Sequence, residues 1–233
     1  MPKQSDGDRR RAFFDTLFDY FATHATVDPN WQMAEFGIGK GGFGQFYSEK
    51  FAKVLGIDIR DFSRFHPGVQ FVISDGLTIP LKDRSLDMVA SHSVLEHVGN
   101  LPASIAEIDR ITKPGGYLFL TVTPLYFSGY GAHLHDEKGV RLENWEHLDP
   151  NSPHYLISNP ITGEPGAGHD LNGLTSSKFL SAIGTVPWRI LDYEITFEKH
   201  PLAAHVDRSR YPLIDLVTKG FRFVGRKENM PKG

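Results

Sequence analysis

A glycine-rich segment, residues 35–42 with the sequence EFGIGKGG, is the part of the chain whose residue types best suit a ligand. It lies where a short apolar run gives way to a predicted helix. Glycines at such a turn allow positive φ angles and let the backbone approach a ligand closely. Gly37, Gly39 and Gly42 also satisfy the G-x-G-x-x-G pattern of dinucleotide sites. The segment alone leaves a dinucleotide site, another nucleotide-type site and a purely structural turn open.

Acidic residues follow this segment at the ends of two further predicted strands. Asp58 comes 23 residues after Glu35, where a carboxylate can accept both ribose hydroxyl protons. Asp75 and Gly76 follow the next strand. An acid in the position of Asp58 suits any cofactor that carries a ribose, so it does not by itself distinguish between cofactor classes.

The elements that must position these residues alternate between strand and helix from residue 31 to residue 116. Apolar runs predict strands at 33–36, 54–58, 69–74, 86–91 and 117–123, with helices through 47–51, 94–98 and 103–111. This βαβ alternation predicts an α/β fold with a parallel, doubly wound sheet. A helix near 176–183 and strands near 190–197 and 221–224 complete the sheet.

Two segments lie outside this alternation. Apolar residues at helical spacing, Phe13 to Phe21, predict an amphipathic N-terminal helix whose aromatic stripe we interpret as core packing. Residues 124–170 contain several prolines, glycines and histidines and only short apolar runs, and we interpret them as an insertion or lid. We therefore expect one domain made of an N-terminal helical cap (1–30), a cofactor-binding core (31–124), an acceptor lid (125–170) and a C-terminal part (171–233).

Two further motifs make the pattern specific. The sequence VLEHV, residues 94–98, follows the fourth predicted strand, and KPGG, residues 113–116, precedes the fifth. With the glycine segment and the two acids, they resemble the class I S-adenosylmethionine-dependent methyltransferases, in particular the methyltransferase type 11-like group. The resemblance covers residues 31–124. It implies a Rossmann-like, seven-stranded, mostly parallel sheet with helices on both faces and an antiparallel last strand.

The resemblance also implies roles for individual residues. By this resemblance, the loop under the methionine part of S-adenosylmethionine contains Glu35, Gly37, Gly39 and Gly41. Ribose and adenine meet Asp58 and Ile59. The adenine amino group faces Asp75 and Gly76, and the sulfonium lies near Ser91 or His92. A carboxylate at Glu35 would repel a pyrophosphate but suits a cofactor that carries a sulfonium and an ammonium. The expected cofactor is S-adenosylmethionine, with S-adenosylhomocysteine as product.

Histidines in the insertion are candidates for a general base. His133 and His135 alternate, so they would face the same way on an extended segment, and Asp136 could orient either one. A base is needed for a hydroxyl acceptor but not for a carboxylate. The other interpretation is that these histidines only satisfy backbone groups of the loop.

A metal site is a competing interpretation that we do not favour. Some relatives bind a divalent ion through E-x-x-E-H after strand four, and the matching positions here are Ser93, Glu96 and His97. The first acid is missing, so a third ligand would have to come from the histidines of the insertion. We therefore predict no metal ligands.

Composition limits the partners. A net charge of -3 and a pI near 6.4 give no global attraction to nucleic acid or anionic lipid, although residues 9–11 and 219–227 are locally basic. The absence of cysteine excludes disulfides and thiolate chemistry. No signal-peptide region or apolar run of about 18 residues is present, so a cytoplasmic location is the default expectation.

The predicted function is transfer of a methyl group to an oxygen of a small molecule or glycan-type acceptor, in small-molecule or carbohydrate biosynthesis. The aromatic residues Tyr126, Phe127, Tyr130 and Trp145 could form the wall of an acceptor pocket or could pack within the lid. Two functions of other classes stay open: an NAD-dependent oxidoreductase, and a non-catalytic protein that binds S-adenosylmethionine and acts through partners.

Overall fold

Strands and helices alternate along most of the chain in the computed structural model, which describes residues 5–133, 135, 145–155 and 171–229. The strands are β1 (Gln32–Phe36), β2 (Lys53–Asp58), β3 (Gln70–Ile73), β4 (Leu86–His92), β5 (Thr112–Val122), β6 (Trp188–Phe197) and β7 (Thr218–Lys227). The helices are α1 (Asp6–Ala22), α2 (Gly44–Tyr47), α3 (Leu101–Ile111), α4 (Ser176–Ile183) and α5 (Leu213–Val217), with 3-10 turns at Ser63–Phe65 and Glu146–Leu148.

The seven strands form one sheet in the order β3-β2-β1-β4-β5-β7-β6. The pairs β1–β2, β2–β3, β1–β4 and β4–β5 are parallel, whereas β7 runs antiparallel to both β5 and β6. The prediction of a doubly wound, mostly parallel sheet with an antiparallel last strand is confirmed. The chain reverses its winding direction between β1 and β4, and in open α/β sheets ligands bind beyond the carboxyl ends of the strands at such a point.

Helices cover both faces of the sheet. Successive strand residues point to opposite sides, so each strand contributes side chains to two cores. Along β4, Val89 belongs to the core that packs against α3 and α4, whereas Met88 and Ala90 belong to the core under α1. The aromatic stripe of α1 packs into this second core with Phe14 and Phe21 fully buried. The interpretation of the stripe as core packing therefore holds for these two residues.

Helix α1 begins directly after its N-cap residue, Ser5. The Ser5 hydroxyl accepts from the backbone N–H of Asp8, and the Asp8 carboxylate accepts from the backbone N–H of Ser5. This reciprocal capping box satisfies two N–H groups that the first helical turn cannot pair.

Local predictions were wrong at three motifs. The VLEHV segment is a turn, in which His97 N–H donates to Val94 O at 2.8 Å, and α3 starts only at Leu101, after the side chain of Asn100 caps it by accepting from Ala103 N–H. The helix expected through residues 47–51 ends at Tyr47. The KPGG segment lies within β5 rather than in a turn before it. At VLEHV, the Asn100 cap sets the start of α3 later in the chain than the helical preference of these residues suggested.

A third, smaller core lies beside the sheet. Tyr126, Phe127 and Trp145 are buried in it together with Val206 and Leu216. Trp145 Nε1 donates to Phe127 O at 3.0 Å and to Leu216 O at 3.2 Å. These three aromatic residues were considered either as the wall of an acceptor pocket or as packing within the lid. The structure shows them packed in a core, as in the second interpretation. No helix in the part of the chain described here is long and apolar enough to cross a membrane.

Candidate functional site

Two cavities open beyond the carboxyl ends of β1, β2, β3 and β4. The smaller has a volume of about 520 Å³ and is lined by residues that follow β2 and β3, including Asp58 and Asp75. The larger has a volume of about 720 Å³ and lies between the glycine segment, β4 and the β6–β7 edge of the sheet. Gly37 and Ser93 line both cavities, so the two spaces meet there. Such volumes suit a small-molecule cofactor or substrate.

The glycine segment wraps around this meeting point. Gly37 has φ +74°, and a Cβ atom added there would lie 2.3 Å from the Val94 side chain. Gly39 has φ +49°, and an added Cβ at Gly39 or Gly41 would meet nothing within 4 Å. Both the backbone conformation and the lack of space for a side chain therefore require glycine at position 37. Gly39 and Gly41 line the larger cavity and leave open space beside the backbone there.

Glu35 holds the loop from inside. The backbone N–H of Phe43 lies 2.9 Å from each of its two carboxylate oxygens, and the side chain is almost fully buried. Burial raises the pKa of Glu35 to about 8, although the hydrogen bond from Phe43 and the charge of Arg10 act in the opposite direction. The residue also lines the larger cavity.

Two residues that were not predicted to belong to the site, Arg10 and His66, contact the glycine segment. Arg10, on α1, donates to Gly41 O at 3.1 Å and to Gly42 O at 2.8 Å. The Nε2 of His66, which is buried, donates to Gly39 O at 2.8 Å. No motif signals these contacts, because each joins residues 27 to 32 positions apart.

The other arginines of the basic N-terminal triplet are also engaged within the chain. Arg9 pairs with Asp6, and Arg11 pairs with Asp15 at 3.1 Å and with Glu49 at 2.8 Å. The triplet that raised the question of nucleic-acid binding thus makes intramolecular contacts at all three positions.

Three of the four predicted ribose and adenine residues line the smaller cavity: Asp58, Ile59 and Asp75. Asp58 lines it at the end of β2 and accepts from Gly39 N–H at 2.8 Å, and Ile59 lines it with 66% of its surface exposed. Asp75 lines it as well and accepts from Leu77 N–H at 2.9 Å. Gly76 has φ +80° and is buried against Phe36, where an added Cβ would clash at 2.5 Å. It therefore shapes the turn that presents Asp75.

Of the two residues predicted near the reacting centre, His92 faces the larger cavity and Ser91 is buried. Ser91 donates its hydroxyl to Phe36 O at 2.9 Å. The His92 ring nitrogens lie 2.9 Å from the Tyr47 hydroxyl and 2.9 Å from the Thr121 hydroxyl. Burial lowers the pKa of His92 to about 3. The imidazole is therefore neutral at physiological pH and engaged at both nitrogens.

Of the three predicted catalytic residues of the insertion, the two described ones, His133 and His135, do not line these cavities. The ring of His133, at φ +55°, lies 5.4 Å from the ring of His97, and His135 is exposed. Neither histidine is among the described residues that line the two cavities. Asp136 lies outside the described residues. Their roles as base and orienting residue stay predictions.

His147, a further histidine of the insertion, satisfies a backbone group. Its Nε2 donates to Tyr126 O at 2.7 Å, and burial lowers its pKa to about 4. For His147 the structure thus shows the second interpretation, in which a histidine of the insertion satisfies a backbone group of the loop.

Among the described residues, no group of three histidine or acidic side chains could hold a metal ion. This includes the positions considered for a metal site, Ser93, Glu96 and His97. Glu96 is buried, and neither carboxylate oxygen has a hydrogen-bond partner in the described part of the chain. Burial raises its pKa to about 8.

Comparison with known proteins finds methyltransferases. Residues 34–120 match the model of a family described as methyltransferase domain. A malonyl-[acyl-carrier protein] O-methyltransferase from Serratia marcescens is 29% identical over 98 residues, which make up 40% of this chain and 38% of that protein. This chain spans less than half the length of the curated relatives it matches.

Solved structures share the fold at low sequence identity. An S-adenosylmethionine-dependent methyltransferase from Mesorhizobium loti has a TM-score of 0.59 at 15% identity, covering 90% of this chain and 97% of that one. The [4+2]-cyclase SpnF has a TM-score of 0.57 at 18% identity, covering 93% and 81%. Residues 34–120 thus match a methyltransferase domain, and the chain has the Rossmann-like fold of S-adenosylmethionine-dependent methyltransferases.

Proposed function

We propose that this protein transfers a methyl group from S-adenosylmethionine to an oxygen atom of a small-molecule or glycan-type acceptor. The observation that carries the proposal is the meeting of the two cavities at Gly37 and Ser93. A cofactor with a nucleoside half and an amino-acid half can extend through this point, and its reactive centre would then face the larger cavity.

The residues present fit such a cofactor. The open space beside Gly39 and Gly41 admits a ligand close to the backbone. The carboxylate of Asp58 can accept from ribose hydroxyls, and Asp75 lies where the resemblance expects the adenine amino group. Because the pKa of the buried Glu35 is about 8, its side chain is mostly uncharged at pH 7, so the distinction from an NAD-dependent oxidoreductase rests on the sequence resemblance and on the calorimetric test below.

The chain's own contribution to the reaction is alignment and exclusion of water. The cofactor supplies an activated methyl group on a cationic sulfur. A neutral His92 in the wall of the larger cavity adds no positive charge that would repel this cation. Holding the two reactants in line can lower the barrier by roughly 7–11 kcal/mol in favourable cases.

Oxygen is the proposed acceptor atom because the relative from Serratia marcescens is named as an O-methyltransferase. If the acceptor is a hydroxyl, a general base is required, and His133 or His135 with Asp136 is the proposed source. If the acceptor is a carboxylate, no base is required.

The proposal assigns a part to each segment of the chain. Residues 1–30 cover the glycine segment, and Phe13 and Leu17 of α1 line the larger cavity. Residues 31–124 bind the cofactor, residues 125–170 enclose the acceptor, and residues 171–233 complete the sheet and close the cavity through β6 and β7.

The first test is isothermal titration calorimetry with adenosylhomocysteine, with NADH as the control ligand. We expect micromolar binding of adenosylhomocysteine and no heat with NADH. Asp58→Asn should weaken binding by at least about tenfold, because hydrogen bonds to a charged group contribute about 1.5–3 kcal/mol. The matched control is Asp61→Asn, at an exposed residue that lines neither cavity.

The outcomes separate the alternatives. Heat with NADH but not with adenosylhomocysteine would replace the proposal with an oxidoreductase. Tight binding of adenosylhomocysteine without methyl transfer to any acceptor in a screen of hydroxylated and carboxylated compounds would favour the non-catalytic binding protein.

A further inference from the structure

The wall of the larger cavity opposite the glycine segment carries an excess of positive charge. It is formed by the end of β6, the start of β7 and nearby residues, and it presents Lys199, Lys219 and Arg222. The sole acidic side chain among the described residues of the cavity lining is Glu35, on the other side. A chain with a net charge of -3 thus places three cations around one cavity.

Two of these cations are available to a ligand. Arg222 pairs with Glu194 and lies over the ring of Tyr20 at 4.1 Å, so much of its charge is already balanced. Lys199 and Lys219 form no ion pair with any described residue. Lys219 is half-buried, with its ammonium 5.1 Å from the centre of the Tyr130 ring.

The same cavity presents exposed aromatic surface. Phe13 on α1 is 55% exposed and Phe197 at the end of β6 is 51% exposed, and both line the cavity. The neighbouring aromatic residues of α1, Phe14 and Phe18, are buried. Exposed aromatic rings beside a cavity provide apolar area that a ligand can cover.

We infer that the acceptor is an amphipathic anion, with an apolar body that packs on Phe13 and Phe197 and a carboxylate or phosphate bound by Lys199 and Lys219. The inference rests on the proposed function, because the acceptor must reach the meeting point at Gly37 from this cavity. Charge-assisted hydrogen bonds from lysine are strong where a bound ligand displaces water. In open solvent such pairs contribute little, so the cavity is essential to the selectivity.

The test uses four probes with the same phenylbutyl body: 4-phenylbutyrate, 4-phenylbutyl phosphate, 4-phenylbutyramide and 4-phenylbutylamine. Each is titrated into the protein saturated with adenosylhomocysteine, and binding is followed by saturation-transfer NMR and calorimetry. We expect at least one of the two anions to bind about tenfold or more tightly than the amide and the amine. Which anion binds more tightly distinguishes a carboxylate acceptor from a phosphorylated one.

The variant Lys199→Gln/Lys219→Gln removes both charges and keeps side chains that can form hydrogen bonds. We expect it to lose the preference for anions and to bind adenosylhomocysteine as the wild type does, since β4 and β5 lie between strand β1, which leads into the glycine segment, and strands β6 and β7, near which the two lysines lie. The matched control is Lys53→Gln/Lys82→Gln. Both of its lysines are exposed and lie at the amino ends of parallel strands, Lys53 beginning β2 and Lys82 preceding β4, whereas the cavities lie beyond the carboxyl ends.

Different results overturn different statements. Equal binding of anions, amide and amine by the wild type, with adenosylhomocysteine still bound, overturns the inference and leaves the proposed function standing. An anion preference that survives in Lys199→Gln/Lys219→Gln overturns the assignment of the two lysines. Absence of adenosylhomocysteine binding overturns the proposed function and the inference together.

Discussion

The guanidinium of Arg10 donates to the carbonyl oxygen of Gly42 at 2.8 Å, and thereby joins the N-terminal helix to the glycine segment. A second hydrogen bond, to Gly41 O, is 3.1 Å long. Both carbonyls belong to the turn whose other side faces the larger cavity. The N-terminal helix is thus attached to the candidate cofactor site as well as packed on the sheet.

Replacing Arg10 should loosen this turn. We expect Arg10→Gln to weaken adenosylhomocysteine binding by about 3- to 10-fold, because a net hydrogen bond contributes about 0.5–1.5 kcal/mol and the site is exposed. Calorimetry measures the effect. Arg9→Gln is the matched control, since the Arg9 guanidinium donates to Asp6 on the same helix, and this variant should bind adenosylhomocysteine as the wild type does. Equal losses in both variants would contradict a specific role for Arg10.

The architecture could be predicted from the sequence because its signals are local and repeated. Apolar runs of strand length, each followed by a turn residue or an acid, gave the order of the elements and put Gly37, Asp58 and Asp75 at one edge of the sheet. The motif VLEHV was assigned to a helix because its composition suits one. It is a turn, and α3 begins only after its Asn100 cap, at Leu101, seven residues beyond Val94.

The remainder of the site depends on contacts between distant segments, which one sequence does not reveal. His66 reaches Gly39, and the β6–β7 edge brings Lys199 and Lys219 to the cavity although both lie far from the glycine segment in the chain. The histidine pair of the insertion shows the converse. Its spacing drew attention, but neither His133 nor His135 is among the described residues that line the cavity.

Gly37 should tolerate no side chain. We expect Gly37→Ala to lower the melting temperature and to abolish measurable adenosylhomocysteine binding, because its φ of +74° and the 2.3 Å approach to Val94 both oppose a Cβ atom. Differential scanning fluorimetry and calorimetry give the two readouts. Gly41→Ala has no such clash or positive φ, so its melting temperature should stay near that of the wild type. A stable Gly37→Ala protein that binds normally would show that the turn is not constrained as described.

His92 should remain neutral across the physiological range. Because burial lowers its pKa to about 3, we expect its ring protons to show no titration shift in NMR spectra between pH 5 and 8. The folded pKa lies below the usual value, so the unfolded chain takes up the proton first and this residue reduces stability as pH falls from about 6.5 toward 3. His92→Gln identifies the resonance by its loss. A titration midpoint near 6.5 would show that the imidazole is exposed and can act as a base.

Glu96 should make the fold less stable at alkaline pH. Its folded pKa of about 8 lies above the value of 4.5 for a free glutamate, so the folded state holds the extra proton between these values. The free energy of unfolding therefore falls as pH rises from about 4.5 to 8, by an amount on the order of a few kcal/mol. Glu96→Gln has nearly the same shape and cannot ionise. We expect it to match the wild type at pH 5 and to melt at a higher temperature at pH 9.

The exposed Glu228→Gln variant is the control for this experiment and should follow the wild type at both pH values. Part of the decline with pH should persist in Glu96→Gln, because Glu35 has a raised pKa for the same reason. Adding adenosylhomocysteine separates the two acids, since Glu35 lines the larger cavity and Glu96 lines neither. A Glu96→Gln protein that is less stable than the wild type at pH 9 would mean that the Glu96 carboxylate is stabilised by a partner when ionised.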